Sequence, residues 1–296
     1  MSQQQGETRA QRLSALQNGA IGSLAGMIEV MLQQPTVAVK AAIQQHRPIP
    51  MALPALYRGV GVSLASIAPI SAVQFAANGK VLGALQAGKS SGATPSDAVK
   101  ITSAAIAGAF SSLLSSPAEL VMTLQQNTGK SFVATVRDVI SQHGVMRLFR
   151  GLEVTMVRET VWCASYLALG PVITSKLHVW HSVFGSVDDA TPSQKASASV
   201  AGSILAGLAT VYGTQPFDTV KTVMQGEALR VEGKSATFAP GTAARIWREA
   251  GGSLRPFYRG AVPRGVRLVG AVFILGKSRD VLEELFDEHA ILGATH

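Results

Sequence analysis

The chain has 296 residues, of which 47% are apolar and only 15% are charged, whereas a typical soluble protein has about 25% charged residues. So few charges cannot coat a soluble particle of this size, and part of the surface is predicted to face lipid. The net charge of +8 is not gathered into a basic run with interleaved aromatic residues, which argues against a nucleic-acid partner. The single cysteine excludes an internal disulfide and a cysteine-rich metal site, and neither a metal nor a cofactor is predicted.

A six-residue phrase that begins with proline recurs three times, and a glutamine follows each proline at a distance of nine residues. The copies are Pro35-Thr36-Val37-Ala38-Val39-Lys40 with Gln44, Pro117-Ala118-Glu119-Leu120-Val121-Met122 with Gln126, and Pro216-Phe217-Asp218-Thr219-Val220-Lys221 with Gln225. A phrase repeated at intervals of this length indicates three copies of one structural unit. We predict the boundaries of these repeats at 1–98, 99–196 and 197–296.

A second phrase, aromatic-Arg-Gly, follows each proline phrase. Its copies are Tyr57-Arg58-Gly59, Phe149-Arg150-Gly151 and Tyr258-Arg259-Gly260. Each repeat therefore reads as a helix that carries the proline, a loop, and a second helix after the glycine. The loop has room for a surface helix near 132–143 in repeat two and near 240–250 in repeat three. The proline-rich loop of repeat one is expected to lack such a helix.

The predicted long helices are apolar but interrupted by polar residues, and no uninterrupted run of 20 apolar residues occurs. A helix that faced lipid on every side would show such a run. The pattern therefore predicts an all-α membrane protein with a wet interior. Basic residues concentrate in the loops after the proline phrases, which predicts that these loops face the more negative compartment.

These two correlated phrases resemble the mitochondrial carrier family, whose odd helices end in P-x-D/E-x-x-K/R. The resemblance covers almost the whole chain. It implies six transmembrane helices in three pseudo-symmetric two-helix repeats around a central cavity, in a multi-pass protein of the mitochondrial inner membrane. It implies transport of a small anionic metabolite by alternating access, and not an enzyme. The stretches 24–29, 220–226 and 260–267 are most similar to tricarboxylate and related organic-anion carriers.

The resemblance implies a gate on the matrix side, in which the acid of each repeat pairs with the base of the next. It pairs Glu119 with Lys221 and Asp218 with Lys40. The third pair would be Val37 with Met122, where both charges are missing together. Replacing both partners of an ion pair by apolar groups can be nearly neutral, so we interpret this pair as an apolar replacement and expect the two side chains to approach.

The glutamines after the prolines match the family's braces beneath these pairs, since an amide can both donate and accept hydrogen bonds. They are Gln44, Gln126 and Gln225. On the opposite side of the membrane, the charged phrase of the family's even helices has almost disappeared. Of its acidic and basic positions only Asp280 keeps a matching charge, which puts closure by ion pairs on that side in doubt.

Residues eight positions after the arginine of each aromatic-Arg-Gly phrase match the family's substrate contact points. Together with neighbours at helical spacing they are Ser66, Gln74, Arg158, Glu159, Trp162, Arg264 and Arg267. Ionisable residues at membrane depth are costly and point to function, and arginine binds carboxylates through two parallel hydrogen bonds. The charge balance favours a mono- or dicarboxylate over a tricarboxylate, while the adjacent acid and base at 158–159 leave an amino-acid carrier as an alternative.

The resemblance also places cardiolipin at the helix starts marked by Gly59, Gly151 and Gly260, where backbone N–H groups attract phosphate. Repeat one, without a loop helix, is expected to lose half of its lipid site. A second hypothesis is a carrier fold recruited as a structural subunit of a larger inner-membrane complex, without transport. The degenerate outer gate and the shortened loops support it.

Overall fold

The computed structural model describes residues 15–87, 95–178, 180–185, 190–229 and 239–288. Every regular element in these ranges is helical, so the prediction of an all-α chain is confirmed. The α-helices are α1 Ala15–Gln44, α2 Leu53–Leu56, α3 Val60–Gln86, α4 Asp97–Thr128, α5 Phe132–His143, α6 Leu152–Leu177, α7 His181–Phe184, α8 Pro192–Gly226, α9 Ala239–Glu249 and α10 Ala261–Glu288. Two 3-10 turns, Val145–Phe149 and Arg255–Tyr258, precede α6 and α10.

The six long helices form a closed ring in chain order. Helix α1 packs against α3, and the contacts continue through α4, α6, α8 and α10 back to α1. Helix α8 also contacts α1 and α4 across the ring. The three helices that carry the proline phrases therefore converge, which closes one end of the ring.

Three segments combine the length and the apolar composition needed to cross a membrane: Leu53–Gln86, Ala98–Thr128 and Ser193–Gly226. The shortest long helix, α6, has 26 residues and spans about 39 Å at 1.5 Å per residue, which exceeds the roughly 30 Å hydrocarbon core. Large apolar side chains lie exposed on the ring, among them Phe75 on α3 at 78%. Such exposure suits a surface that faces lipid.

The glycine of each aromatic-Arg-Gly phrase directly precedes α3, α6 or α10. Gly59, Gly151 and Gly260 have φ angles of +83°, +83° and +77°. Only glycine adopts this left-handed conformation without steric strain. The glycines therefore turn the chain sharply from the loop into the second helix of each repeat.

The predicted loop helices are confirmed as α5 in repeat two and α9 in repeat three. The first loop holds only the four-residue α2. Apolar side chains dock both loop helices onto the ring, with Val139 of α5 against Leu120 and Leu124 of α4, and Ile246 of α9 against Val220 and Met224 of α8. The loop helices thus stiffen the closed end in two of three repeats.

Candidate functional site

Two ion pairs join the converging helices. Lys40 Nζ on α1 lies 2.7 Å from Asp218 Oδ2 on α8, and Lys221 Nζ on α8 pairs with the Glu119 carboxylate on α4. Asp218 and Lys221 are three residues apart, so they share one face of α8. Helix α8 is therefore tied to α1 and α4, the other two helices that carry a proline phrase, as the family resemblance implies.

Arg158 on α6 connects the two ion pairs. Its Nη2 lies 2.8 Å from Glu119 Oε1 and 2.5 Å from Glu159 Oε1, and its Nη1 lies 3.5 Å from Asp218 Oδ1. Sequence reasoning assigned Arg158 to substrate and missed this bridge, because helical spacing gives the depth of a side chain but not its direction. The four helices α1, α4, α6 and α8 share one charge network.

The three glutamine braces do not behave alike. Gln44 Nε2 donates to Asp218 Oδ2 at 2.9 Å, directly beneath the first ion pair. Gln225 Nε2 donates instead to the Ser116 carbonyl at 3.3 Å. The side-chain amide of Gln126 has no hydrogen-bond partner among the described residues. Gln126 lies one turn after the uncharged position of α4, where no ion pair offers a charge to brace.

Met122 packs against the start of α3. Ser63 Oγ donates to Met122 Sδ at 3.0 Å, and a Cβ atom added to Gly59 would lie 2.7 Å from Met122 Cγ. The side chain of Val37 is half-buried on α1. Its approach to Met122 stays a prediction.

The arginine of each aromatic-Arg-Gly phrase reaches the C-terminal end of the proline-bearing helix (α1, α4 or α8) in the next repeat. Arg150 Nε donates to the Met224 carbonyl at 2.7 Å, Arg58 lies at the C-cap of α4, and Arg259 contacts His46 just after α1. Cations are favoured at the ends of helices, where carbonyl groups lack partners. Burial lowers the pKa of Arg150 to about 10.

Two glutamines that the motif search passed over anchor the loops. Gln34 Nε2 donates to the Arg58 carbonyl at 3.2 Å, and Gln215 Nε2 donates to the Arg259 carbonyl at 2.8 Å. Each glutamine precedes the proline of its own repeat. The recurrence of Gln-Pro in repeats one and three was the available sequence signal.

Arg264 is held by its neighbour α8. Its guanidinium donates to the Val211 carbonyl at 3.1 Å, to Gln215 Oε1 at 3.2 Å and to Thr214 Oγ1 at 3.0 Å. All three acceptors are uncharged. These hydrogen bonds therefore orient the Arg264 guanidinium without neutralising its charge.

Arg267 pairs with an acid on the first helix. Its Nη2 lies 3.3 Å from Glu29 Oε1, and Gln33 Nε2 donates to the same oxygen at 2.8 Å. The Arg267 side chain is 39% exposed, whereas that of Glu29 is 10% exposed. Arg267 is thus more accessible to a ligand than Arg158 or Glu159, whose side chains are 13% and 16% exposed.

The remaining predicted contact residues lie on α3 and α6. Ser66 Oγ donates to the Ser63 carbonyl at 3.0 Å, and Gln74 Nε2 donates to Ser111 Oγ on α4 at 3.1 Å. Trp162 is half-buried on α6. The hydrogen bonds of Ser66 and Gln74 thus go to groups other than the arginines, and a substrate role for these three residues stays a prediction.

A groove of about 640 Å³ runs beside Gly59, between the start of α3, α4 and the loop helix α5. Ser66 and Phe132 are among its lining residues. Sequence reasoning expected the lipid site at Gly59 to lack a loop helix, whereas α5 from the following repeat lines the groove beside Gly59. Weaker lipid binding at Gly59 stays a prediction. Gly260 lies against Lys40 and Gln44 of α1, in the repeat whose loop has only the four-residue α2.

The opposite end of α10 carries an ion pair of a different kind. Arg279 Nε lies 2.6 Å from Glu283 Oε1, one turn along the same helix. The pair stabilises α10 itself and does not join two helices.

Comparisons with known proteins agree with this architecture. The family described as mitochondrial carrier protein matches residues 94–177 and 192–289. A protein of Caenorhabditis elegans, provisionally named a mitochondrial tricarboxylate transport protein, is 31% identical over 51% of this chain and 45% of its own length. The mitochondrial 2-oxodicarboxylate carrier 2 of Saccharomyces cerevisiae is 27% identical, with 72% and 67% covered. The mitochondrial citrate transporter A of Aspergillus niger is 28% identical, with 93% and 95% covered.

Proposed function

Since this chain belongs to the mitochondrial carrier protein family, we propose that it transports small carboxylates across the mitochondrial inner membrane by alternating access. The observation that carries the proposal is the charge network between α1, α4, α6 and α8. Ion pairs between separate helices can break and form again, as a gate requires. The network closes the end of the ring that corresponds to the matrix side.

The charge balance of the ring interior favours a substrate with one or two negative charges. Among the described residues, the charge network, the predicted contact points and their ion-pair partners contain the ionisable residues Lys40, Arg158, Lys221, Arg264, Arg267, Glu29, Glu119, Glu159 and Asp218. They comprise five cations and four carboxylates, which leaves one positive charge. A trianion would bring two negative charges in excess into a site of low dielectric constant, which is costly.

The relatives support a carboxylate as the substrate class, since those compared above carry the names of tricarboxylate, 2-oxodicarboxylate and citrate transport. Within the site, Arg267 is the best candidate for the first contact. A substrate carboxylate would replace Glu29 as its partner, and guanidinium binds such groups through two parallel hydrogen bonds.

Anionic lipid is the second proposed partner. The left-handed glycines Gly59, Gly151 and Gly260 begin helices whose first N–H groups lack intrahelical acceptors. Cardiolipin headgroups would accept from these groups, and acyl chains would follow grooves such as the one between α3, α4 and α5.

The purified protein in liposomes tests the transport proposal. Vesicles loaded with mono-, di- and tricarboxylates and acidic amino acids should exchange labelled carboxylate, with mono- or dicarboxylates preferred. Circular dichroism of the same sample verifies that the protein is folded. Failure of the folded protein to exchange any of these compounds would overturn the proposal.

One observation favours a second function, that of a structural subunit of an inner-membrane complex. The ion pair Arg279–Glu283 at the far end of α10 lies within one helix, and the first loop holds only the four-residue α2. Co-purification with a complex at fixed stoichiometry, without exchange in liposomes, would support this alternative.

A further inference from the structure

Three residues at equivalent positions meet at the C-terminal ends of the proline-bearing helices α1, α4 and α8. Gln45, Asn127 and Gly226 each lie ten residues after the proline of their repeat, directly after the brace glutamine. Gln45 directly follows α1, whereas Asn127 and Gly226 lie in the last turns of α4 and α8. These three helices converge at the closed end. No role for these positions follows from the ion-pair motif.

The contact between them is close. Asn127 Nδ2 donates to Gln45 Oε1 at 2.6 Å and to the Gly226 carbonyl at 3.3 Å. A Cβ atom added to Gly226 would lie 2.2 Å from Gln45 Oε1. Only glycine at 226 therefore leaves room for the Gln45 amide in this position.

This junction joins α1 and α4, between which no direct ion pair is seen in the part of the chain that the structure describes. Helix α8 is tied to α1 through Lys40 and to α4 through Lys221, but the α1–α4 boundary has Val37 and Met122 at its charged positions. The Asn127–Gln45 hydrogen bond spans that boundary. Arg47 Nη1 adds a second link there, to the Gln126 carbonyl at 3.3 Å.

We propose that Gln45, Asn127 and Gly226 form a second closing layer, which replaces the missing ion pair and separates when the transporter opens to the matrix. The inference rests on the proposed transport function. The layer lines a polar cavity of about 280 Å³ at the loop end of the ring, and Gln44 lines the same cavity. Separation of the layer would therefore open a wet path from the loops to the ion pairs.

The first test measures the contact without transport. Unfolding temperatures of the detergent-purified protein are compared for Q45A, N127A and the double variant, with Q142A on the exposed face of α5 as the control. The effects of Q45A and N127A should be non-additive, because either change alone already breaks the bond. G226A should destabilise the wild-type protein and be nearly harmless in the Q45A background. Additive effects in both pairs would overturn the proposed layer.

The second test measures opening. In liposomes, efflux without a counter-substrate requires the empty protein to open towards the matrix. Loss of one hydrogen bond from the closed state should raise the ratio of uniport to exchange about fivefold in Q45A and N127A, and Q142A should leave it unchanged. An unchanged ratio in variants that still exchange would overturn the gating role. A wild-type protein that exchanges nothing would remove the transport proposal and this gating role together, while the unfolding result would still decide whether the contact exists.

Discussion

Arg158 lies 2.8 Å from the Glu119 carboxylate, which also pairs with Lys221. One guanidinium from α6 thereby shares an acid with a lysine of α8, and it reaches Asp218 of the other ion pair as well. The two predicted bridges are therefore one coupled unit. A change at Arg158 is expected to act on both.

Arg158→Gln should damage the network more than Arg158→Lys. Removing the cation leaves three carboxylates with two lysines, and breaking a buried pair in this way costs about 3 kcal/mol or more. Lysine keeps the charge but cannot bridge three acids. We expect exchange in liposomes to fall more than tenfold in R158Q and less in R158K. The unfolding temperature should likewise fall more in R158Q than in R158K. Equal activity of both variants and the wild type would contradict the coupling.

Restoring the third ion pair tests the approach of Val37 to Met122. V37D and M122K should each lower the unfolding temperature, because each introduces one unpaired charge at a half-buried position. The double variant should recover at least about 1 kcal/mol of the summed loss if the side chains meet. If the stability losses of the two single variants simply add in the double variant, Val37 and Met122 are not in contact. This conclusion does not depend on whether the protein transports.

Glu29→Gln should change substrate preference. The variant raises the charge balance of the interior from one to two positive charges and frees Arg267 from its acid partner. Exchange should shift from mono- towards dicarboxylate by about tenfold, as expected for one charge at a distance of several ångströms in a partly polar site. Glu153→Gln, on the exposed first turn of α6, serves as the control. An identical preference in E29Q and E153Q would argue against Glu29 as a specificity residue.

The glycines before α3 and α6 provide a matched pair. Gly59 and Gly151 share φ of +83°, so alanine should cost about 1–2 kcal/mol at either position through the backbone alone. At position 59 the added methyl group also meets Met122 Cγ at 2.7 Å, whereas its nearest neighbours at 151 lie at 3.8 Å. The unfolding temperature should therefore fall further in G59A. Adding M122A to G59A should remove only the extra fall in unfolding temperature relative to G151A. Equal unfolding temperatures of G59A and G151A would show that the Met122 contact is not tight.

The sequence alone predicted three copies of a two-helix unit and therefore six long helices, because three copies of one phrase report the same place in one unit. The partners of both ion pairs were implied by the resemblance to the mitochondrial carrier family, in which the acid of each repeat pairs with the base of the next. Loop length located the loop helices of repeats two and three, and the prolines of the first loop predicted that repeat one lacks a long one. The left-handed turns at Gly59, Gly151 and Gly260 were seen only in the structure.

Only the tertiary structure decided where the side chains between these motifs point. It directed Arg158 to the gate acids and Arg264 to α8, although sequence reasoning assigned both arginines to substrate. It completed the groove at Gly59 with α5 of the next repeat, and it brought Asn127 to Gln45 from 82 residues away. Such contacts depend on how far each helix is rotated about its axis, and that rotation is set by packing against neighbours that local sequence does not encode.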